Sequence, residues 1–294
     1  VPSSNYYNSG KSRMRFNFQA FVWLALATMS PMVCYDAEAN PDQLKVGLLP
    51  VRDASTVLAE NRRFKEYLEK SLNKDIELVV TSDYSAMVDA MRDESVDVVH
   101  FGPVSYVLAQ SSSDIKAFAV ETIDGRSTYQ AVLIANADTR IDEIADIHDI
   151  DVAYGDLLST ASHLIPKSML LNHGKKVGKD YREHFLSSHD AVALAVQSGR
   201  AHVGGLKRRV LESMIARGTI EDSKVRVLGY SDPFPQYPWT MRNSLDEELQ
   251  EQIKTAFYEL DDAETLASLG ASGMAPVDDA DYDVVRELLH HLGL

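Results

Sequence analysis

Cysteine is almost absent: the 294-residue chain has one, Cys34. A disulfide framework is thereby excluded, and with it any thiol chemistry elsewhere in the chain. Positive charge is scarce as well. Lys and Arg number 29 against 44 Asp and Glu, a formal net charge of -15, which argues against nucleic acid or an anionic membrane surface as partner. Such a chain does not attract an anionic ligand from a distance, so an anion must be held by local donors. The catalytic patterns G-x-S-x-G, H-E-x-x-H and G-x-G-x-x-G are missing. Gly10-Lys11-Ser12 has Asn5 where a phosphate loop needs its first glycine.

What is present begins with an export signal. Met14 and Arg15 precede the apolar stretch from Ala20 to Met29, and Ala37-Glu38-Ala39 follows as a small-residue cleavage site. The apolar stretch is too short to span a bilayer comfortably. Residues 1–13 read as an upstream extension, 1–39 as extension plus signal peptide, and cleavage is expected after Ala39. That segment carries three cations and two carboxylates, so its removal leaves the chain slightly more acidic. A periplasmic or secreted protein is expected. Lipid attachment at Cys34 is the alternative, although Pro31-Met32-Val33 matches the usual context poorly.

From residue 44 onward, strand and helix patterns alternate. Apolar β-type runs at 45–51, 76–81, 96–101, 116–122 and 129–135 are separated by helical patterns at 55–72, 84–92 and after Pro103. A second set follows: strands at 151–155, 201–206 and 224–231, with helices after Ser159, from Ala191 and over 207–217. The stretch 245–294 reads as mostly helical. Repeated alternation predicts an α/β fold with covered sheets. Two extended passages, near 129–137 and 228–241, suggest two crossings between lobes and a ligand cleft between them. The expected lobes are 44–134 plus 238–294, and 135–237.

The densest chemistry lies at Leu158-Ser159-Thr160-Ala161-Ser162-His163, where the strand ending at Gly155 passes into a helix. One hydroxyl suffices for an N-cap. Three hydroxyls, Ser159, Thr160 and Ser162, beside the free N–H groups and positive dipole end of a helix, predict an oxyanion site that needs no metal.

Five segments in order carry a resemblance: 82–109, 127–136, 155–166, 187–199 and 232–242. Together they resemble the substrate-binding proteins of phosphonate and phosphite ABC importers, over about 45 to 290. The resemblance implies a type II periplasmic binding protein, two α/β lobes joined by a two-segment hinge. It implies a ligand pocket of Tyr84, Tyr129, Ser159, Thr160, Ser162 and His189, all able to donate to phosphoryl oxygens, with His189 adding charge only when protonated. Each also has an ordinary structural role open to it: a core-packed tyrosine, a capping serine, a helix-start histidine. His100, His163, His184 and His202 are read as structural.

Members of that family that bind aminoalkylphosphonates hold the ammonium with acidic residues. Here the corresponding places fall near Arg209 and at Tyr237, so 2-aminoethylphosphonate is an unfavoured ligand. Tyr106, Lys207, Arg209, Tyr237 and Trp239 are the candidates for a distal pocket that is small, aromatic-lined or suited to a second negative group. Lys207, Arg208 and Arg209 could equally be a solvated helix face. The expected function is the solute-binding component of an importer for a small phosphorus oxyanion, phosphite or a small alkylphosphonate, working by lobe closure without catalysis. No cofactor or metal is expected, and the partners are the oxyanion and an inner-membrane permease, the protein itself a monomer. The alternatives are an exported sensor feeding a membrane kinase and an enzyme on the same fold acting on a phosphorylated metabolite.

Overall fold

The structure, a computed structural model, describes residues 40–294. The expected signal peptide, its cleavage after Ala39 and the lipid site at Cys34 lie outside the described residues.

The chain opens with strand β1 (Gln43–Leu48), helices α1 (Ala54–Glu60) and α2 (Arg62–Leu72), and strand β2 (Asp75–Val80). The single helix expected over 55–72 is broken at Asn61, whose ψ of 2° ends α1 while its N–H returns to carbonyls of that helix. Helix α3 (Tyr84–Arg92), strand β3 (Val98–His100), helix α4 (Pro103–Ser112) and strand β4 (Ile115–Thr122) follow. Asp83 starts α3 by accepting from the Ala86 N–H, and Pro103 starts α4 where its missing N–H costs nothing.

The second series comprises β5 (Thr128–Tyr129), β6 (Ala131–Asn136), β7 (Ile150–Tyr154), α5 (Ile165–Asn172), β8 (Tyr181–Phe185), α6 (His189–Gln197), β9 (Val203–Lys207), α7 (Arg208–Ala216) and β10 (Val225–Tyr230). The chain then returns through β11 (Phe234–Pro235), β12 (Pro238–Arg242), α8 (Glu247–Tyr258), α9 (Ala263–Leu269), β13 (Gly273–Pro276) and α10 (Asp283–Leu292).

Two mixed sheets result, one per lobe. The first has the order β13-β4-β12-β3-β1-β2 and the second β10-β6-β9-β7-β8. All six residues of β6 are buried, as a strand covered on both faces requires. Because β6 pairs with β9 and β10 only, the first crossing falls before Ala131, earlier than the 134/135 boundary the sequence suggested. The two crossings themselves pair as a short antiparallel ribbon, Phe234 opposite Tyr129 and Pro235 opposite Thr128.

Within the first lobe, Phe64, Trp239 and Phe257 meet with ring centroids 5.1–5.2 Å apart. Trp239 is therefore core, stacked at 4.3 Å on His100, and not the cleft residue expected of it. Tyr106 is likewise buried. Its ring packs edge-on to Tyr282 and its hydroxyl donates to Asp279 Oδ1 at 2.8 Å, away from the cleft. Helix α10 against α4 creates that pocket for Tyr106, a long-range contact invisible to local pattern.

Candidate functional site

The site forms where β7 gives way to the next helix. Gly155 is needed at this corner, since a Cβ there would lie 2.8 Å from the Ser162 hydroxyl. The chain then makes one wide π-helical turn, Thr160–Leu164, before α5. Such turns are rare and recur at functional sites. Ser159 caps it, its Oγ accepting from the Ser162 N–H at 3.1 Å. The Thr160 and Ala161 N–H groups at its mouth have no acceptor among the described residues.

The three hydroxyls do not play one part. The Ser159 and Thr160 oxygens act as acceptors towards protein N–H groups, Thr160 from Val104 across the lobes at 2.8 Å, so both protons remain available. Ser162 differs. Its proton goes to the Gly205 carbonyl at 2.5 Å and its oxygen accepts from the Gly155 N–H at 2.9 Å. The Ser162 side chain thus clamps β7 to β9 instead of facing a ligand, contrary to the sequence reading. Ser162→Ala is expected to lower stability by about 1–3 kcal/mol, because it removes the hydroxyl bond to the Gly205 carbonyl and leaves the Gly155 N–H only a long 3.4 Å bond to the Ser162 carbonyl. Thermal unfolding beside ligand titration measures this; lost affinity at unchanged stability would restore Ser162 to the ligand.

Across the cleft stand three tyrosines. Tyr84 lies at the start of α3, Tyr129 in the hinge ribbon and Tyr237 just before β12. All three are buried, and none of their hydroxyls has a hydrogen-bond partner among the described residues. The Tyr84 hydroxyl lies beside Ser159 and that of Tyr129 beside Thr160. The Tyr129 and Tyr237 rings meet edge to face at 5.5 Å. Burial raises all three phenols well above their ordinary value, so each is a neutral donor. A buried hydroxyl left unpaired is costly, and three in one place need an explanation.

His189 opens α6 behind its cap, Ser188. The Lys207 N–H donates to its Nδ1 at 3.0 Å, so the ring proton sits on Nε2, 3.5 Å from Ser159 Oγ. Burial, then the charges of Lys207 and Arg52, depress its pKa to about 3. His189 is accordingly a neutral N–H donor, and the cationic form considered from the sequence does not arise at neutral pH.

The charge comes from Lys207. Its ammonium lies 4.0 Å from the Tyr237 ring centroid and 4.8 Å from that of Tyr129, and donates to Gln236 Oε1 at 2.8 Å. Burial lowers it to about 8, partly opposed by Glu121. Lys207, His189, Tyr237 and Arg209 line one cavity of about 320 Å³ between the lobes. Arg208, from the same basic run, took the ordinary course: it pairs with Glu212 and lies over Tyr230.

Sequence reasoning overlooked Gln236 and Asp156. Gln236 is buried and accepts from Lys207; a lone amide among prolines and aromatics was its only signal. Asp156 accepts from the Leu158 N–H and, across the lobes, from the Tyr84 N–H at 3.2 Å. Its position straight after Gly155 marked a turn but not a lobe contact. The His189 N–H to the Val51 carbonyl and Arg217 to Glu60 also cross the cleft, so the lobes are closed.

A family model for the periplasmic substrate-binding proteins of phosphonate ABC transporters matches residues 46–282. The phosphate-import protein PhnD of Mycolicibacterium smegmatis is 26% identical over 277 residues, 86% of each chain. A probable phosphite-binding ABC transporter protein, PhnD1 of Prochlorococcus marinus, is 23% identical, covering 76% of this chain and 79% of its own. The solved structure of Prochlorococcus marinus PhnD1 with methylphosphonate superposes with a TM-score of 0.80 at 22% identity, over 86% of this chain and 99% of that one. The chain belongs to the phosphonate-binding family of periplasmic substrate-binding proteins of ABC transporters.

Proposed function

We propose that the protein captures a small phosphorus oxyanion between its lobes, without chemistry, and presents it as a monomer to an inner-membrane permease. One observation carries this: Tyr84 and Tyr129 hold buried hydroxyls, unpartnered among the described residues, beside Ser159 and Thr160 at the helix mouth, with the unpartnered hydroxyl of Tyr237 close to both tyrosines. A tetrahedral anion accepts from all of them, from His189 Nε2–H and from the Lys207 ammonium. Hydrogen bonds to a charged group contribute about 1.5–3 kcal/mol each, enough in sum to offset the anion's desolvation. The relatives' names and the bound methylphosphonate of the Prochlorococcus marinus protein point to the same ligand class.

The tautomer of His189 weighs against an esterase-like reading. A general base for Ser159 needs a free Nε2 and a carboxylate on Nδ1–H. Here Nε2 carries the proton and Nδ1 faces a backbone N–H.

Calorimetric titration with phosphite, methylphosphonate, phosphate and sulfate tests the proposal. Saturable binding of a phosphorus anion, with sulfate weaker, is expected. Affinity should also fall above pH 8. Lys207, its pKa lowered to about 8, loses its proton there in the free protein, and each further pH unit then costs up to about tenfold. Folded, ligand-free protein that binds none of the four would overturn the assignment.

A further inference from the structure

Beyond the oxyanion pocket, the cavity runs outward between α1, α7 and α9, and its charges do not balance. The ionisable residues that line it are Arg52, Glu60, Lys207 and Arg209, besides two histidines. Arg52 is matched: it pairs with Glu60 and lies 3.7 Å from Asp190. Arg217 also reaches the same Glu60 oxygen, so that carboxylate already faces two guanidiniums. Lys207 has only the neutral amide of Gln236 to bond and two ring faces beneath it. Arg209 has no ion-pair or hydrogen-bond partner among the described residues.

Arg209 is also placed deliberately. Although exposed, it reaches across to the other lobe, where its guanidinium lies beside Gly270. A Cβ on Gly270 would stand 2.8 Å from an Arg209 terminal nitrogen, and φ of +69° there independently requires glycine. Two cations lining one cavity, neither in an ion pair among the described residues and only Lys207 near a carboxylate, that of Glu121, describe a receptor for negative charge. The oxyanion is already provided for by tyrosines, hydroxyls, His189 and one side of Lys207, which leaves Arg209 for a second negative group.

Resting on the proposed function, we infer that the ligand is a phosphonate whose substituent carries a carboxylate, seated between Lys207 and Arg209. The phosphoryl group occupies the tyrosine and Ser159–Thr160 pocket, and the substituent points along the cavity. A guanidinium offers a carboxylate two parallel N–H donors. An ammonium-bearing substituent would meet two cations instead.

Titration with phosphonoacetate, propylphosphonate and 2-aminoethylphosphonate separates the possibilities, with methylphosphonate as reference. Phosphonoacetate should bind at least about tenfold tighter than propylphosphonate, the worth of one charge-assisted contact, and 2-aminoethylphosphonate weakest of all. Arg209→Ala and Lys207→Met should each reduce the phosphonoacetate-to-propylphosphonate affinity ratio by about fivefold or more, a readout that a purely structural side chain does not move. A ratio near one in the unaltered protein, with methylphosphonate still binding, overturns this inference and leaves the proposed function standing. If methylphosphonate, phosphite and phosphonoacetate all fail to bind, the proposed function falls and this inference with it.

Discussion

Phenylalanine at Tyr84, Tyr129 or Tyr237 should weaken phosphorus-oxyanion binding by roughly ten- to a hundredfold each, the value of one hydrogen bond to a charged group. The triple variant should lose more than about a thousandfold, short of the additive total because the three share one ligand. Stability should move the other way. Each hydroxyl is buried with no partner among the described residues, so its removal deletes an unpaired polar group and leaves the ring packing intact. The melting temperature of the ligand-free triple variant is thus expected to hold or rise, while ligand-induced stabilisation disappears. Calorimetry and thermal unfolding on the same samples check both parts. A marked fall in melting temperature with unaltered affinity would make the tyrosines core residues and move the ligand elsewhere.

That combination could be read from the sequence only in part. The Ser159–Thr160–Ser162 cluster after Gly155 is a local signal, because capping hydroxyls and a helix start are set by neighbours in the chain. Ser162's commitment to Gly205, forty-three residues on, is not local, and pattern alone could not separate it from the other two. Alternation of strand and helix gave the two-sheet organisation, since strands covered on both faces are continuously apolar. Besides the two-residue β11, three strands escaped for physical reasons. Strand β8 lies at a sheet edge, half exposed, and lacks an apolar run. Strand β12 is central but begins with Pro238, tolerated at a strand's first residue and suggestive of a loop. Strand β13, four residues inside a helical tail, is defined by its partner β4 more than by its own composition. Trp239 and Lys207 were placed together in a distal pocket. The structure separates them: Trp239, inside β12, packs in the core against Phe64 and Phe257, while Tyr237, which precedes the strand, lines the cleft.

His189 should govern how the fold responds to mild acid. In the unfolded chain an imidazole titrates near 6.5; in the fold, burial and the nearby Lys207 and Arg52 hold His189 near 3. Its folded pKa is depressed, so below pH 6.5 the unfolded state takes up a proton that the native state refuses. The resulting stability is complete above pH 6.5 and drains away as pH falls towards 3. At about 1.4 kcal/mol per pH unit, the loss between pH 6.5 and pH 4 is on the order of 3 kcal/mol. His163, also depressed by burial, adds in the same direction. His189→Asn isolates the first contribution: its amide oxygen can accept the Lys207 N–H, but it neither titrates nor reaches Ser159. Urea unfolding at pH 4, 5, 6 and 7 should therefore give a shallower slope for the variant, the two curves converging by about 3 kcal/mol at pH 4. Parallel curves would mean that His189 is protonated in the native state, which would turn the site from a pocket of neutral donors around one lysine into a doubly cationic one. The same variant should bind the oxyanion less tightly at pH 7, through the missing Nε2–H, and with the same pH dependence between 5 and 7 as the unaltered protein, because a histidine that never charges has nothing to titrate there.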